Sequence, residues 1–133
     1  MTGQTDLSLL LKNMTPHLGK DVFVFSTLPE DQAQPYISES ISMFREAEGV
    51  TLILLKSTAE KHQIPYIYPC RCLTLSIHSA LDAIGFMAAI TQALGASGIS
   101  VNPISAYYHD HLFVPEDRAD LALQVLQDMA RKA

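Results

Sequence analysis

The sequence has no tryptophan, only two cysteines, and no basic run longer than Arg131-Lys132. Its formal net charge is −5. Nucleic acids and anionic membrane surfaces are bound largely through clustered lysine and arginine, so this composition argues against both as partners. No apolar run approaches the roughly 18 residues that span a bilayer, and the N-terminus lacks the basic region of a signal peptide. We therefore predict a cytoplasmic protein.

The two cysteines, Cys70 and Cys72, are separated by one residue on a predicted strand. Their side chains would point to the same side, where the geometry of a disulfide is difficult to reach. They also lack nearby cysteine or histidine partners at metal-ligand spacing. The sequence predicts two reduced, packed thiols and no cofactor, consistent with a reducing compartment.

The chain of 133 residues is 48% hydrophobic, enough for one compact domain or two small modules. Its second half predicts the order β-α-β-β-α. The predicted elements are an alternating strand at 71–78, a small-residue helix capped by Gly98, a strand at 99–106, a return strand at 111–114, and a helix opened by Pro115. Asn102-Pro103 predicts that the strand at 99–106 is an edge strand.

One more strand would complete a split β-α-β, ferredoxin-like plan in this half. The apolar segment 22–27 is predicted to provide this strand, and the strand at 71–78 would complete the first half in turn. Residues 29–35, bounded by two prolines, are predicted to form a loop. The fold class is α+β, with two intertwined ferredoxin-like (βαββαβ) modules, antiparallel sheets and helices on one face of each sheet. The predicted domains are 1–70, with a leading helix, and 71–133.

A short internal sequence repeat indicates that the chain consists of two related halves. Ile41-Ser-Met-Phe44 and Ile104-Ser-Ala-Tyr107 are each followed by a turn, an apolar strand and a helix. The repeated order indicates duplication of a small α/β module.

The main candidate site is the loop Ser79–Gly85 at the start of the predicted central helix. Backbone N–H groups at a helix N-terminus favour a carboxylate or phosphate, and Gly85 lets a ligand approach the backbone. Asp82 has two open interpretations, since it can cap the helix or accept an α-ammonium group. The combination predicts an amino-acid zwitterion site. The predicted ligand-binding residues are His78, Ser79, Asp82, Ala83, Ile84, Gly85, Asn102, Tyr107 and Tyr108.

A rival interpretation starts from His109-Asp110-His111. Two histidines on one face, joined by Asp110 or by His78, would form a metal or acid–base centre. The same tripeptide is also typical of a polar hairpin tip. Ser79 beside His78 lacks the Gly-x-Ser-x-Gly context of a nucleophile elbow.

The segment Leu73–Val114 resembles an ACT domain. The resemblance rests on the strand 73–77, the loop Ser79–Gly85, the following helix, Gly98-Ile-Ser-Val-Asn102 and the hairpin 104–114, which is similar to that of the ACT domains regulating aspartate kinases. The whole chain, including 44–49 and 107–111, resembles small stand-alone bacterial proteins with two ACT-like halves. It departs from the family at Ile84, where proline or arginine often precedes the loop glycine.

The resemblance implies regulation by small molecules, usually amino acids, bound at module or subunit interfaces. We therefore expect a non-enzymatic amino-acid-binding regulatory protein that forms a homodimer. Two alternatives remain open at this point: an enzyme using His78, His109, Asp110 and His111, and an interaction module with no ligand.

Overall fold

The structure is a computed structural model, and it describes residues 6–133. The α-helices are α1 (Leu7–Asn13), α2 (Glu30–Ala33), α3 (Lys56–Lys61), α4 (Phe86–Ala96) and α5 (Ala119–Lys132). The strands are β1 (Pro16–Leu18), β2 (Phe23–Leu28), β3 (Ser42–Glu46), β4 (Gly49–Leu55), β5 (Ile67–Leu75), β6 (Asn102–Ser105) and β7 (Asp110–Pro115). Two 3-10 helices span Gln34–Glu39 and Glu116–Arg118. Within the described part of the chain, no helix is long and apolar enough to cross a membrane.

The chain divides into two compact units. One, called here the split unit, combines the chain up to Lys20 with Arg71–Ala133. The other, the inserted unit, is Asp21–Cys70. Strand β5 begins in the inserted unit and ends in the split unit. The domain boundaries predicted from the sequence, 1–70 and 71–133, stay a prediction.

The split unit has the strand order β1-β5-β7-β6. Its fourth strand is β1, in which Pro16 lies opposite Leu75 and Leu18 opposite Leu73. The prediction that residues 22–27 complete this half was therefore wrong, because a three-residue strand from the N-terminal segment does so. Strand β6 lies at the edge, as Pro103 predicted, since proline has no N–H to donate to a further strand.

The inserted unit has the strand order β3-β4-β2-β5. Its strands are antiparallel, and β2 pairs with both β4 and the start of β5. The predicted loop at residues 29–35 is instead helical, formed by α2 and the following 3-10 helix. Both prolines are compatible with helix, since Pro29 caps α2 and Pro35 sits in the first turn of the 3-10 helix, where no backbone donor is needed.

Each unit packs its helices onto one face of its strands, as the fold class predicted. In the split unit, α4 buries Phe86, Ile90 and Leu94, spaced four residues apart and therefore on one side of the helix. These side chains share a core with Leu73 and Leu75 of β5. The inserted unit has its own core, which contains Val24, Ala33, Val50, Leu52, Leu54, Ala59 and Ile64.

The end of α4 is fixed by Gly98, which has a φ of +73°. The Gly98 N–H donates to the carbonyl of Gly95 at 3.0 Å, and the Ile99 N–H donates to that of Leu94 at 3.0 Å. This pair of bonds is a Schellman motif, and the buried side chains of Leu94 and Ile99 close it. The predicted glycine cap is confirmed.

Two glycines of this segment should respond to alanine in opposite directions. A Cβ at Gly95, inside α4, meets nothing within 4 Å, so Gly95→Ala should raise the free energy of unfolding by about 0.5–1 kcal/mol. Gly98→Ala should lower it by about 1–2 kcal/mol, because an L-residue is strained at positive φ. Urea unfolding of both variants measures this, and a Gly98→Ala variant as stable as Gly95→Ala would contradict the assigned cap.

Candidate functional site

The candidate site lies in the split unit, where the loop between β5 and α4 meets the start of β7. The Ser79 hydroxyl donates to Oδ2 of Asp110 at 2.8 Å. Both residues are buried, with exposed fractions of 8% and 6%. A buried carboxylate requires such partners because its desolvation is costly. This bond therefore fixes the loop against the β6–β7 hairpin.

The first turn of α4 adjoins this pair. Gly85 is the N-cap residue, in the left-handed region with a φ of +88°, and among residues 6–133 no side chain caps the first N–H groups of the helix. Capping by Asp82, one of the two interpretations left open by the sequence, is therefore wrong. The N–H groups at this end have no partner within the helix and carry the positive end of its dipole.

A small cavity of about 50 Å³ lies between the loop and the helix. It is lined by Ser79, Ala80, Leu81, Ala83, Phe86, Met87, Ser105 and Asp110. A buried carboxylate and the uncapped end of a helix thus meet at one cavity. A molecule that carries both a cationic and an anionic group would complement this arrangement, with the cation at the carboxylate and the anion at the helix start.

Three aromatic rings form a second group beside the loop. The His78 ring lies 5.4 Å from that of Tyr108 and 6.4 Å from that of Tyr107, nearly parallel to the latter at 26°. The two tyrosine rings contact edge to face at 4.9 Å. Among the described residues, Nδ1 of His78 finds no hydrogen-bond partner although it is buried. The structure therefore brings these three predicted residues together.

The other predicted residues divide between the cavity and the surface. Ser79 and Ala83 line the cavity, and Gly85 opens the helix beside it. Ile84 is 87% exposed, and Asp82 and Asn102 are exposed as well. Asn102 lies opposite Phe113 in the β6–β7 pair and does not line the cavity. The assignment of all nine residues to a ligand site stays a prediction.

Two polar residues of the cavity were not predicted as ligand-binding residues. The sequence predicted a role for Asp110 only in a metal or acid–base centre, and it predicted no role for Ser105. They lie opposite each other in the β6–β7 pair. The register of the β6–β7 hairpin could have indicated Asp110 as a site residue. It places Asp110 beside the loop, although Asp110 lies 31 residues from Ser79 in the sequence.

The histidines beside Asp110 have other contacts. Nδ1 of His111 lies 2.9 Å from the Thr74 hydroxyl, and Nδ1 of His109 lies 3.4 Å from the Ile77 carbonyl oxygen. Burial lowers the pKa of His111, the neighbouring His109 lowers it further, and Asp110 raises it. Within residues 6–133, no three histidine, cysteine, aspartate or glutamate side chains are grouped to hold a metal ion.

Family comparison assigns the chain to a known class of domain. One ACT domain model matches residues 2–71, and a second matches residues 67–128. The chain therefore belongs to the ACT domain family and carries two ACT domains in tandem. ACT domains are regulatory. No match was found among curated proteins.

Solved structures share the same fold. A Vibrio cholerae protein of unknown function, described as a possible transport protein, is 39% identical, with a TM-score of 0.84 over 93% of this chain and 95% of its own. An Agrobacterium tumefaciens protein is 16% identical, with a TM-score of 0.74 over 88% and 89%. The regulatory subunit of aspartate kinase from Thermus thermophilus is 11% identical, with a TM-score of 0.69 over 90% and 97%.

His111 should make stability depend on pH. Its pKa is lowered below 6.5 in the folded protein, so the unfolded chain binds more protons below that pH, and the free energy of unfolding should fall as the pH drops. His111→Gln should reduce this fall between neutral and mildly acid pH. The matched control is His17→Gln, at an exposed position on β1, which should retain the full pH dependence in urea titrations. Equal pH dependence in the two variants would contradict the prediction.

Proposed function

We propose that this protein is a non-enzymatic regulatory protein that binds an amino acid between the loop Ser79–Gly85 and the β6–β7 hairpin. The observation that carries the proposal is the buried Asp110 carboxylate beside the uncapped start of α4 at one cavity. Membership of the ACT family supports the regulatory role.

The two polar features match the two ends of a zwitterion. The N–H groups at the start of α4 would bind the α-carboxylate, since a helix N-terminus favours an anion. The Asp110 carboxylate would accept a hydrogen bond from the α-ammonium group, which favours a charge-assisted bond. Ser79 already donates to one oxygen of Asp110, which holds the carboxylate in place and leaves its second oxygen for the ligand.

The size of the cavity supports binding of the charged end of the ligand only. A volume of about 50 Å³ holds a few water molecules and therefore a head group of that size. The ligand side chain would extend outward past Leu81, which lines the cavity and is 70% exposed. Leu81 and the neighbouring Met87 would then favour an apolar side chain.

Exposed apolar residues around the site support a homodimer. Leu81, Ile84, Tyr107 and Tyr108 are all at least 60% exposed on the loop and the hairpin tip. Burial of such a patch against a second copy is favourable because apolar surface leaves water. We further propose a cytoplasmic location and domains bounded at 1–70 and 71–133.

The contacts of the histidines support a non-enzymatic role over the rival enzyme. The His109 and His111 rings each have a neighbour in the fold, at Ile77 and Thr74, and Asp110 is bonded to Ser79. A ligand-free interaction module is the remaining rival. It does not explain why the start of α4 has no side-chain cap, within the described part of the chain, beside a buried carboxylate.

The proposal predicts that at least one amino acid stabilises the purified protein in a thermal-shift screen of the twenty. Asp110→Asn should then weaken that amino acid's binding by about tenfold to a hundredfold, because hydrogen bonds to charged groups contribute about 1.5–3 kcal/mol. Isothermal titration calorimetry measures the change.

Asp82→Asn is the matched control, since Asp82 lies in the same loop but is exposed. It should change the affinity less than about threefold, as exposed ion pairs contribute little. If none of the twenty amino acids raises the melting temperature at millimolar concentration, the proposed function is wrong. If Asp82→Asn weakens binding more than Asp110→Asn, the ammonium group is bound by the loop and not by the hairpin.

A further inference from the structure

Three polar side chains, Ser79, Ser105 and Asp110, line the cavity at the start of α4. Among the described residues of this lining, Asp110 is the only charged one, and it is 6% exposed. A buried carboxylate is costly unless a positive charge or hydrogen-bond donors compensate it. The polar part of the cavity therefore favours a cationic group that donates hydrogen bonds.

The register of the β6–β7 hairpin places Ser105 and Asp110 on the same side of the strands. They lie directly opposite each other, and opposite residues of an antiparallel pair project to one face with their Cβ atoms about 4.5–5.5 Å apart. Leu112 and Val114 share this face with Asp110, because side chains alternate along a strand. Both leucine and valine are buried in the core that includes α4. Ser105 and Asp110 therefore both project toward the helix and its cavity.

The hydrogen bond between Ser79 and Asp110 decides what these groups can offer a ligand. The Ser79 hydroxyl donates its one hydrogen to Oδ2 of Asp110 at 2.8 Å, so its oxygen can only accept from a further partner. Oδ1 of Asp110 also accepts, and the Ser105 hydroxyl can do so. Three acceptors, one of them charged, match the three N–H donors and the positive charge of a primary ammonium group.

We propose that Ser79, Ser105 and Asp110 form a subsite selective for a primary ammonium group, with Ser105 as a specificity-determining residue. This subsite deepens the proposed function and rests on it for the ligand, an amino acid whose α-amino group is unsubstituted. Each N-alkyl group removes one N–H donor and leaves one acceptor without a partner, which weakens binding. The cavity of about 50 Å³ also leaves little room for a methyl group beside the nitrogen. Proline and N-methylated amino acids are therefore selected against.

Two small cations of equal charge test this selectivity without any amino acid. Methylammonium has three N–H donors, and tetramethylammonium has none. Methylammonium, titrated at constant ionic strength, should shift the amide resonances of residues 79, 105 and 110 in ¹H–¹⁵N spectra of the full chain. It should bind at least about tenfold more tightly than tetramethylammonium, because only methylammonium forms hydrogen bonds to the carboxylate and the hydroxyls.

Three serine variants test the residue assignment. Ser105→Ala should weaken methylammonium binding by about three- to tenfold, and Ser105→Thr, which keeps a hydroxyl, should restore it. Ser97→Ala is the matched control, since Ser97 is an exposed serine at the other end of α4. It should bind methylammonium as the parent does. Should Ser105→Ala lose its dispersed spectrum, the comparison of the two cations on the parent protein decides alone.

The inference is overturned if methylammonium does not shift these resonances, if tetramethylammonium binds as tightly, or if a folded Ser105→Ala binds as the parent does. Failure of the proposed function gives a different result. If methylammonium binds selectively but none of the twenty amino acids raises the melting temperature, the subsite is supported and the proposed function is wrong. If amino acids bind but proline gives as large a thermal shift as any other, the selectivity is wrong and the proposed function is supported.

Discussion

The candidate amino-acid site depends on the requirement that a buried carboxylate be satisfied. Asp110 sits at the start of β7, inside the protein, and its bond from Ser79 provides part of what water would otherwise supply. The same bond holds the loop that leads into α4. It thereby sets where the first N–H groups of that helix stand relative to the carboxylate. The contact therefore joins the carboxylate to the loop that leads into the positive end of α4, and both line the same cavity.

The two units have cavities of different chemistry on related frameworks. In the split unit, the cavity is small and combines Asp110 with the start of an eleven-residue helix. In the inserted unit, the corresponding helical segment is a four-residue α-helix followed by a 3-10 helix, and a larger cavity has an uncharged lining. The duplication indicated by the sequence therefore preserved the strand order and changed the chemistry.

Local patterns in the sequence predicted the local structure well. The apolar spacing of α4 and the position of Gly98 were sufficient for the helix and its Schellman end, because both depend on residues within one or two turns. Strand β1 could not be found this way. Its three residues, Pro16-His-Leu18, carry too short an alternation, and they are identified as a strand only by pairing with residues almost sixty positions later. The helix at 30–33 was missed because prolines that begin helices were interpreted as loop boundaries.

The sequence indicated which loop borders the candidate site, but it did not indicate which carboxylate lies there. The glycine at 85 and the helix after it indicated an anion site from neighbouring residues alone. Asp110 lies 31 residues from Ser79, and only the hairpin register brings it to the cavity. Sequence reasoning therefore chose Asp82, the nearest acid in the chain, which the structure shows to be exposed. When distant residues form a site, strand pairing decides which charged side chains reach it. A single sequence specifies strand pairing poorly.

The central claim is that an amino acid binds with its carboxylate at the start of α4 and its ammonium group at Asp110. A crystal structure grown with the amino acid that gives the largest thermal shift tests it most directly. We expect the ligand carboxylate within hydrogen-bond distance of the backbone N–H groups of residues 86–88, and the ammonium group within that distance of an Asp110 oxygen. A ligand bound elsewhere, or bound here with its ammonium group toward the helix, would contradict the claim.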